Sequence, residues 1–222
     1  MKKLIQGIVK FRRDVLPNYR ETFARLALGQ SPDVLYIGCS DSRVAVNVFA
    51  STDPGDLFVV RNVGNLVPPY NSANQTSKDE SEAAAIEFAL DNLNVPSIIV
   101  CGHSECAAIN ALMNGRQNVK ANSLREWLSH GDGALEALDS PTKLGAQLPR
   151  HHRLSQINVL KQIENLKTYP VVQERLKNGK LTIHAWWFEV SRADVYAYEE
   201  SLGQFVLIDE KEAELILKRM GS

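Results

Sequence analysis

Three short apolar runs constrain this chain most: "DVLYIG" (33–38), "LFVV" (57–60) and "PSIIVCG" (96–102). Each is rich in β-branched or aromatic residues and bounded by Pro, Asp or Gly, which marks a buried strand. Between the second and third lies "DESEAAAIEFALDNL" (79–93). Its Ala84, Ile86, Phe88, Ala89, Leu90 and Leu93 form an apolar helical face, and its acidic residues crowd the start, where the helix dipole favours them. Strand, helix and strand at this spacing predict parallel crossover units, and so an α/β fold with a central, mainly parallel sheet flanked by helices.

Further along, "ECAAINALMNG" (105–115) predicts a helix ended by Gly, and 131–152, rich in Gly, Asp, Pro and Ser, predicts loop or short helix. The stretch 153–179 predicts a long amphipathic helix stopped near Pro170 and a shorter one ended by Gly179. "LTIHAWWFEV" (181–190), "DVYAYEE" (194–200) and "QFVLID" (204–209) form a predicted C-terminal strand region, closed by a helix over 210–220. At the other end, the apolar residues of 1–20 are interrupted by Gln6, Lys10, Arg12 and Arg13, and no small-residue cleavage site follows; the pattern predicts an amphipathic helix rather than a signal peptide.

A formal net charge of -1 and the lack of a basic stripe argue against a nucleic-acid partner. No segment has the roughly 18 consecutive apolar residues of a membrane span. A cytoplasmic location is expected, where cysteines stay reduced and serve as metal ligands or nucleophiles more often than as disulfides; an odd count of three fits that.

Cys39, in "GCSDSR" (38–43), and the pair His103/Cys106, in "CGHSECAA" (101–108), stand just beyond the carboxyl ends of predicted strands, where open α/β sheets place their ligands. Neighbouring strand ends would bring two thiolates and an imidazole to one ion. Cys, His, Cys suits zinc and leaves a fourth tetrahedral position open, which means chemistry rather than scaffolding. Cys101 lies inside an apolar run and reads as a buried small hydrophobe. His151 and His152, adjacent in a polar loop and pointing different ways, read as solvated rather than ligating, and His130, beside Gly131, as a surface residue; His184 reads as a hydrogen-bonded core residue.

With these residues set out, the chain resembles a β-class carbonic anhydrase. The resemblance is carried by "CSDSRV" (39–44), "RNVGNLVP" (61–68), "EAAAIEFALDNL" (82–93), "GHSEC" (102–106), "NVLKQIENLKTYP" (158–170) and "HAWWFEV" (184–190), and it covers most of the chain from about Gln30 to Asp209. It implies the β-carbonic anhydrase fold, with an N-terminal helical arm for dimerisation over 1–29 and a single zinc-binding catalytic domain over 30–222. The implied activity is reversible hydration of CO2 to bicarbonate and a proton, by a zinc-bound hydroxide oriented by an Asp41–Arg43 dyad. One Zn2+ per chain would be held by Cys39, His103 and Cys106, with Asp41 as a possible fourth ligand in a closed state. Gln30, Phe58, Val63, Phe88 and Ala107 stand at the family's substrate-pocket positions; Ala107 replaces the usual Gly, and Phe88 stands where some members have Tyr.

The resemblance also implies a homodimer or homotetramer. An inhibitory bicarbonate site known in some members falls here on Tyr36, Arg61 and Phe188, which lack one hydroxyl and carry a phenol in place of an indole, so weak or absent bicarbonate inhibition is expected. A related zinc hydrolase acting on CS2 or COS and a silent zinc-binding assembly protein stay open as alternatives.

Overall fold

Every apolar run becomes a strand. In the computed structural model, which describes residues 1–71, 80–140 and 144–220, β1 (Val34–Cys39), β2 (Leu57–Asn62), β3 (Ser97–His103) and β4 (Thr182–Glu189) pair in parallel. β5 (Asp194–Glu199) and β6 (Gln204–Leu207) add antiparallel partners, giving a six-stranded sheet of order β2-β1-β3-β4-β5-β6. Asp79 of the predicted helix and residues 141–143 of the predicted loop lie outside the described residues.

The runs of β1 and β3 are apolar throughout because both faces of the sheet are covered there. Successive side chains point to opposite faces, so Leu35, Ile37, Ile98 and Val100 pack into one core. Tyr36, Ile99 and Cys101 pack into another with Val44, Phe188 and Val46 of the short helix α3 (Val46–Phe49). The first core is closed by α4 (Glu80–Glu87), whose last turn widens into a π-helical turn over Phe88–Asn92, and by α8 (Arg150–Leu166). Close approach of α8 to β3 requires a residue without a side chain at 102: a Cβ there would stand 2.6 Å from Val159 Cγ2 and 3.3 Å from the Ser155 carbonyl oxygen.

Two antiparallel strands, β5 and β6, form the C-terminal region, followed by α10 (Glu210–Met220). α5 (Ala107–Met113) ends two residues before Gly115, as predicted, and α9 (Pro170–Lys177) takes Pro170 as its first residue, the helical position that tolerates a missing N–H best. Short helices α6 (Asn122–Trp127) and α7 (Asp132–Leu138) pack over α5 and α8 in a third apolar cluster. One expectation is overturned: α8 begins at Arg150, so His151 and His152 belong to its first turn and not to a loop. Pro149 stands at its N-cap, and a proline cannot continue a helix backward.

The N-terminal segment is helical as expected, with α1 (Lys2–Lys10) and α2 (Leu16–Leu26) joined by a π-helical turn, and neither helix has a buried residue. Leu4, Ile5, Ile8, Val9 and Phe11 are exposed. Tyr19 donates to Asp53 across 2.7 Å and ties the arm to the body.

Candidate metal centre

Cys39 and His103 are the last residues of β1 and β3, which are parallel neighbours with Gly38 opposite Cys101. Cys106 joins them through a turn in which Glu105 takes a left-handed φ of 56°, so that the chain reverses within two residues and Cys106 caps α5. The three donor atoms lie within 4.8 Å of one another, all on buried residues, and the two sulfurs are 4.0 Å apart. A tetrahedral ion with Zn–S bonds of about 2.3 Å would set two sulfurs roughly 3.8 Å apart, so the spacing fits zinc.

His103 completes the fit. Its Nδ1 is 2.8 Å from the Ser104 carbonyl oxygen; a carbonyl only accepts, so Nδ1 carries the hydrogen and Nε2 presents a lone pair. That Nε2 is buried and has no hydrogen-bond partner in the protein. An orphaned buried nitrogen costs about 1–3 kcal/mol unless something binds it, and two thiols beside it say what would. Hydrogen bonding from Cys106 pulls the Cys39 thiol down to about 4, helped by His103 and by the Gly64 N–H at 3.4 Å, while the same contact pushes Cys106 up. The pair holds its negative charge on Cys39, and a cation would complete the deprotonation.

The loop after β2 is shaped for this. Asn62 donates to the Leu66 carbonyl and accepts from its N–H, both at 2.8 Å, closing a ring around residues 63–65. Gly64 takes φ 90° inside that ring, where a side chain would be strained, and so turns its N–H onto Cys39. From the far side α8 grips the loop: Asn158 donates to the Gly64 carbonyl, Gln162 accepts from Val67 N–H at 2.7 Å, and Asn165 donates to the Val67 carbonyl.

Asp41 stands outside the donor group. Arg43 holds both its oxygens, with Nε and Nη2 donating at 2.9 and 2.7 Å and its backbone N–H at 3.0 Å. This keeps the Asp41 carboxyl well below the usual carboxylate range. Nη2 of Arg43 also donates to the Glu105 carbonyl at 3.0 Å, linking the Asp41 turn to the Cys106 turn.

The carbonic anhydrase family model matches residues 34–195, which span both clusters and every strand as far as the start of β5. The chain belongs to the β-class carbonic anhydrases. Among its relatives, a carbonic anhydrase of Synechocystis sp. is 39% identical over 93% of this chain and 74% of its own length. The solved structure of the β-carbonic anhydrase CcaA has a TM-score of 0.84 at 36% identity, covering 95% of this chain and 92% of that one. A structure from work on two tetrameric β-carbonic anhydrases of Sordaria macrospora follows with a TM-score of 0.73 at 28% identity, covering 88% and 95%. The protein is thus a carbonic anhydrase, EC 4.2.1.1, and its Cys39–His103–Cys106 group is consistent with the zinc site of the class.

Of the expected pocket residues in this carbonic anhydrase, Val63 and Ala107 adjoin the site by sequence, next to Gly64 and Cys106. Phe58 does not: it pairs with Leu35, whereas Asn62 pairs with Cys39, a separation of about 13 Å along a strand. Phe58 instead packs on Phe88, 43% exposed, with ring centroids 5.9 Å apart, and Gln30 is exposed between α2 and β1. Tyr36 is buried and Phe188 stacks on Phe49 at 4.7 Å. Arg61 spends Nε on the Cys39 carbonyl at 3.0 Å and Nη2 on the Asp41 carbonyl at 2.6 Å.

Cys101 is fully buried and pushed up to about 12 by that burial, as an inert thiol should be. His184 is half-buried, 3.1 Å from Thr182 Oγ1 and shifted down by burial. His130 is half-buried and packs edge-on against Trp127 at 5.4 Å. His151 and His152 do not diverge into solvent, since both converge on Glu105. Asn62, Gly64 and the α8 amides position the site; they lie in 61–68 and 158–170, which carry the resemblance, but only the tertiary meeting of α8 with the loop gives them a role. No helix among the described residues is long and apolar enough to cross a membrane.

Proposed function

We propose that the chain hydrates CO2 reversibly at a zinc ion held by Cys39, His103 and Cys106, with Asp41 orienting the attacking water and Arg43 holding Asp41 in place. The observation that carries this reading is the buried, unpartnered Nε2 of His103 beside two sulfurs 4.0 Å apart. Bound there, zinc supplies Lewis acidity that brings the pKa of a water ligand to about 7, a value carried over from carbonic anhydrases in general.

The protein's own groups do the rest. Asp41 receives three hydrogen bonds from Arg43, so it stays ionised and acts as an acceptor only. An acceptor of that kind accepts a hydrogen bond from the attacking oxygen, which keeps its own hydrogen, and so turns an oxygen lone pair toward the carbon of CO2. The new C–O bond forms as the proton passes to solvent buffer, and bicarbonate leaves. Held by Arg43, Asp41 stays clear of the donor group, which supports an open site at rest; released, it would become a fourth ligand and close it. CO2 has no dipole, so apolar surface from Val63 and the small side chain of Ala107 suits it.

A pair of chains completes the pocket in this reading. Phe58 and Phe88 lie away from their own donor group, Gln30 is exposed, and Leu4, Ile5, Ile8 and Val9 of α1 lie exposed in one chain, with no residue of that helix buried. The partner would bring Gln30, Phe58 and Phe88 to the site; the Sordaria relatives form tetramers. Light scattering on the full chain and on a deletion of 1–29 checks this, with a dimer or tetramer expected for the first and monomer for the second.

The dyad is tested by Asp41→Asn at matched zinc content. Hydration kcat/KM should fall by about 10²-fold with zinc retained; an unchanged rate would remove Asp41 from the mechanism.

A further inference from the structure

The turn that sends Cys106 inward sends Glu105 outward, onto the first turn of α8. There His152 Nε2 lies 2.9 Å and His151 Nε2 3.3 Å from the same oxygen, Glu105 Oε1. The three donor atoms lie within 4.8 Å of one another. We propose that Glu105, His151 and His152 form a second divalent-cation site, for a first-row transition ion of the zinc class, separate from the Cys39–His103–Cys106 centre.

Two imidazoles and one carboxylate are a donor set that zinc takes readily, with water completing the tetrahedron. Bonds of about 2.0–2.1 Å would set donors roughly 3.3 Å apart, so both imidazole-to-carboxylate distances already stand near the required value. The rings are braced rather than free: His151 and His152 meet edge to face at 4.3 Å, and His152 leans on Trp187 at 5.7 Å. Trp187 is itself buried and donates to Ser155 Oγ at 3.2 Å. Ordering the side chains in advance removes much of the cost of binding.

Nearby guanidinium groups are occupied elsewhere and leave this carboxylate to the histidines. Arg150 is paired with Asp139 at 2.8 Å, Arg153 donates to the Leu144 carbonyl at 3.0 Å, and Arg43 meets Glu105 at its backbone carbonyl. Partial exposure of all three residues means that this ion exchanges with solvent, unlike one in the buried centre.

The test is calorimetric titration of the holoenzyme, loaded with one zinc per chain, with Zn2+, followed by Co2+ for its spectrum. A further equivalent should bind to the wild type. It should be lost in His151→Ala/His152→Ala and weakened about tenfold or more in Glu105→Gln, while every variant keeps its first zinc. Retention of that zinc shows that the variants fold. Cobalt taken up as the further equivalent should show d–d bands without thiolate-to-metal charge transfer, because its donors are nitrogen and oxygen. No further equivalent, one that survives the double substitution, or one with a thiolate charge-transfer band would overturn the proposal.

Discussion

Two donor clusters sit on either side of one turn, and they answer the problem of unpaired polar groups in opposite ways. Inside, Cys39, His103 and Cys106 are buried, and His103 Nε2 finds no partner in the protein. Outside, Glu105, His151 and His152 satisfy one another and keep contact with water. A buried donor set without its ion is under strain in energy, so ion binding there is tied to the folded state. The outer cluster is comfortable without an ion, so binding there is optional.

The sharpest way to break that contrast is to remove an inner donor. Cys106→Ser or His103→Ala should lose zinc and drop hydration to the uncatalysed rate, whereas His151→Ala/His152→Ala should keep the first zinc and an unchanged rate, both read by metal analysis and stopped flow. Next in size is Arg43→Gln, which removes the two guanidinium hydrogen bonds on Asp41 and leaves only the one from the backbone N–H. Hydration should fall by roughly 10- to 100-fold with zinc retained, and X-ray absorption at the zinc edge should show a carboxylate oxygen in place of the water oxygen as Asp41 moves in.

Rigidity behind the inner cluster is probed by Gly102→Ala. The added Cβ would collide with Val159 at 2.6 Å, and overpacking of this kind costs about 1–3 kcal/mol. For a chain of this length that is roughly 2–10 °C of melting temperature, measured by thermal unfolding with zinc bound. The smallest effect concerns bicarbonate, which should inhibit weakly or not at all. Arg61 already donates Nε and Nη2 to backbone carbonyls, and a bicarbonate-soaked crystal with the anion on Arg61 and Asp41 turned toward zinc would contradict this.

Sequence carried the sheet well, because both faces of β1 and β3 are buried and their apolar runs could hardly be anything else. It also carried the inner cluster: Cys39 and His103 close neighbouring parallel strands, and a strand end is a place that spacing can mark. What sequence could not carry was anything made by the approach of separate elements. Residues 150–152 looked like loop because polar residues surround them, yet Pro149 caps a helix there and aims two histidines at Glu105. In the same way, Phe58 sits at a pocket position of the family but four residues down the strand from its own site, a fact that only the register reveals.

The most direct measurement is CO2 hydration by stopped flow from about pH 6.5 to 9, on protein loaded stepwise with zinc. The pH range brackets the water pKa of about 7 expected at zinc. Activity should grow in proportion to zinc up to one ion per chain, rise with pH at that loading, and gain nothing from a second equivalent. Zinc bound at one per chain with no hydration at any pH would contradict the reading of Cys39, His103 and Cys106 as the catalytic centre.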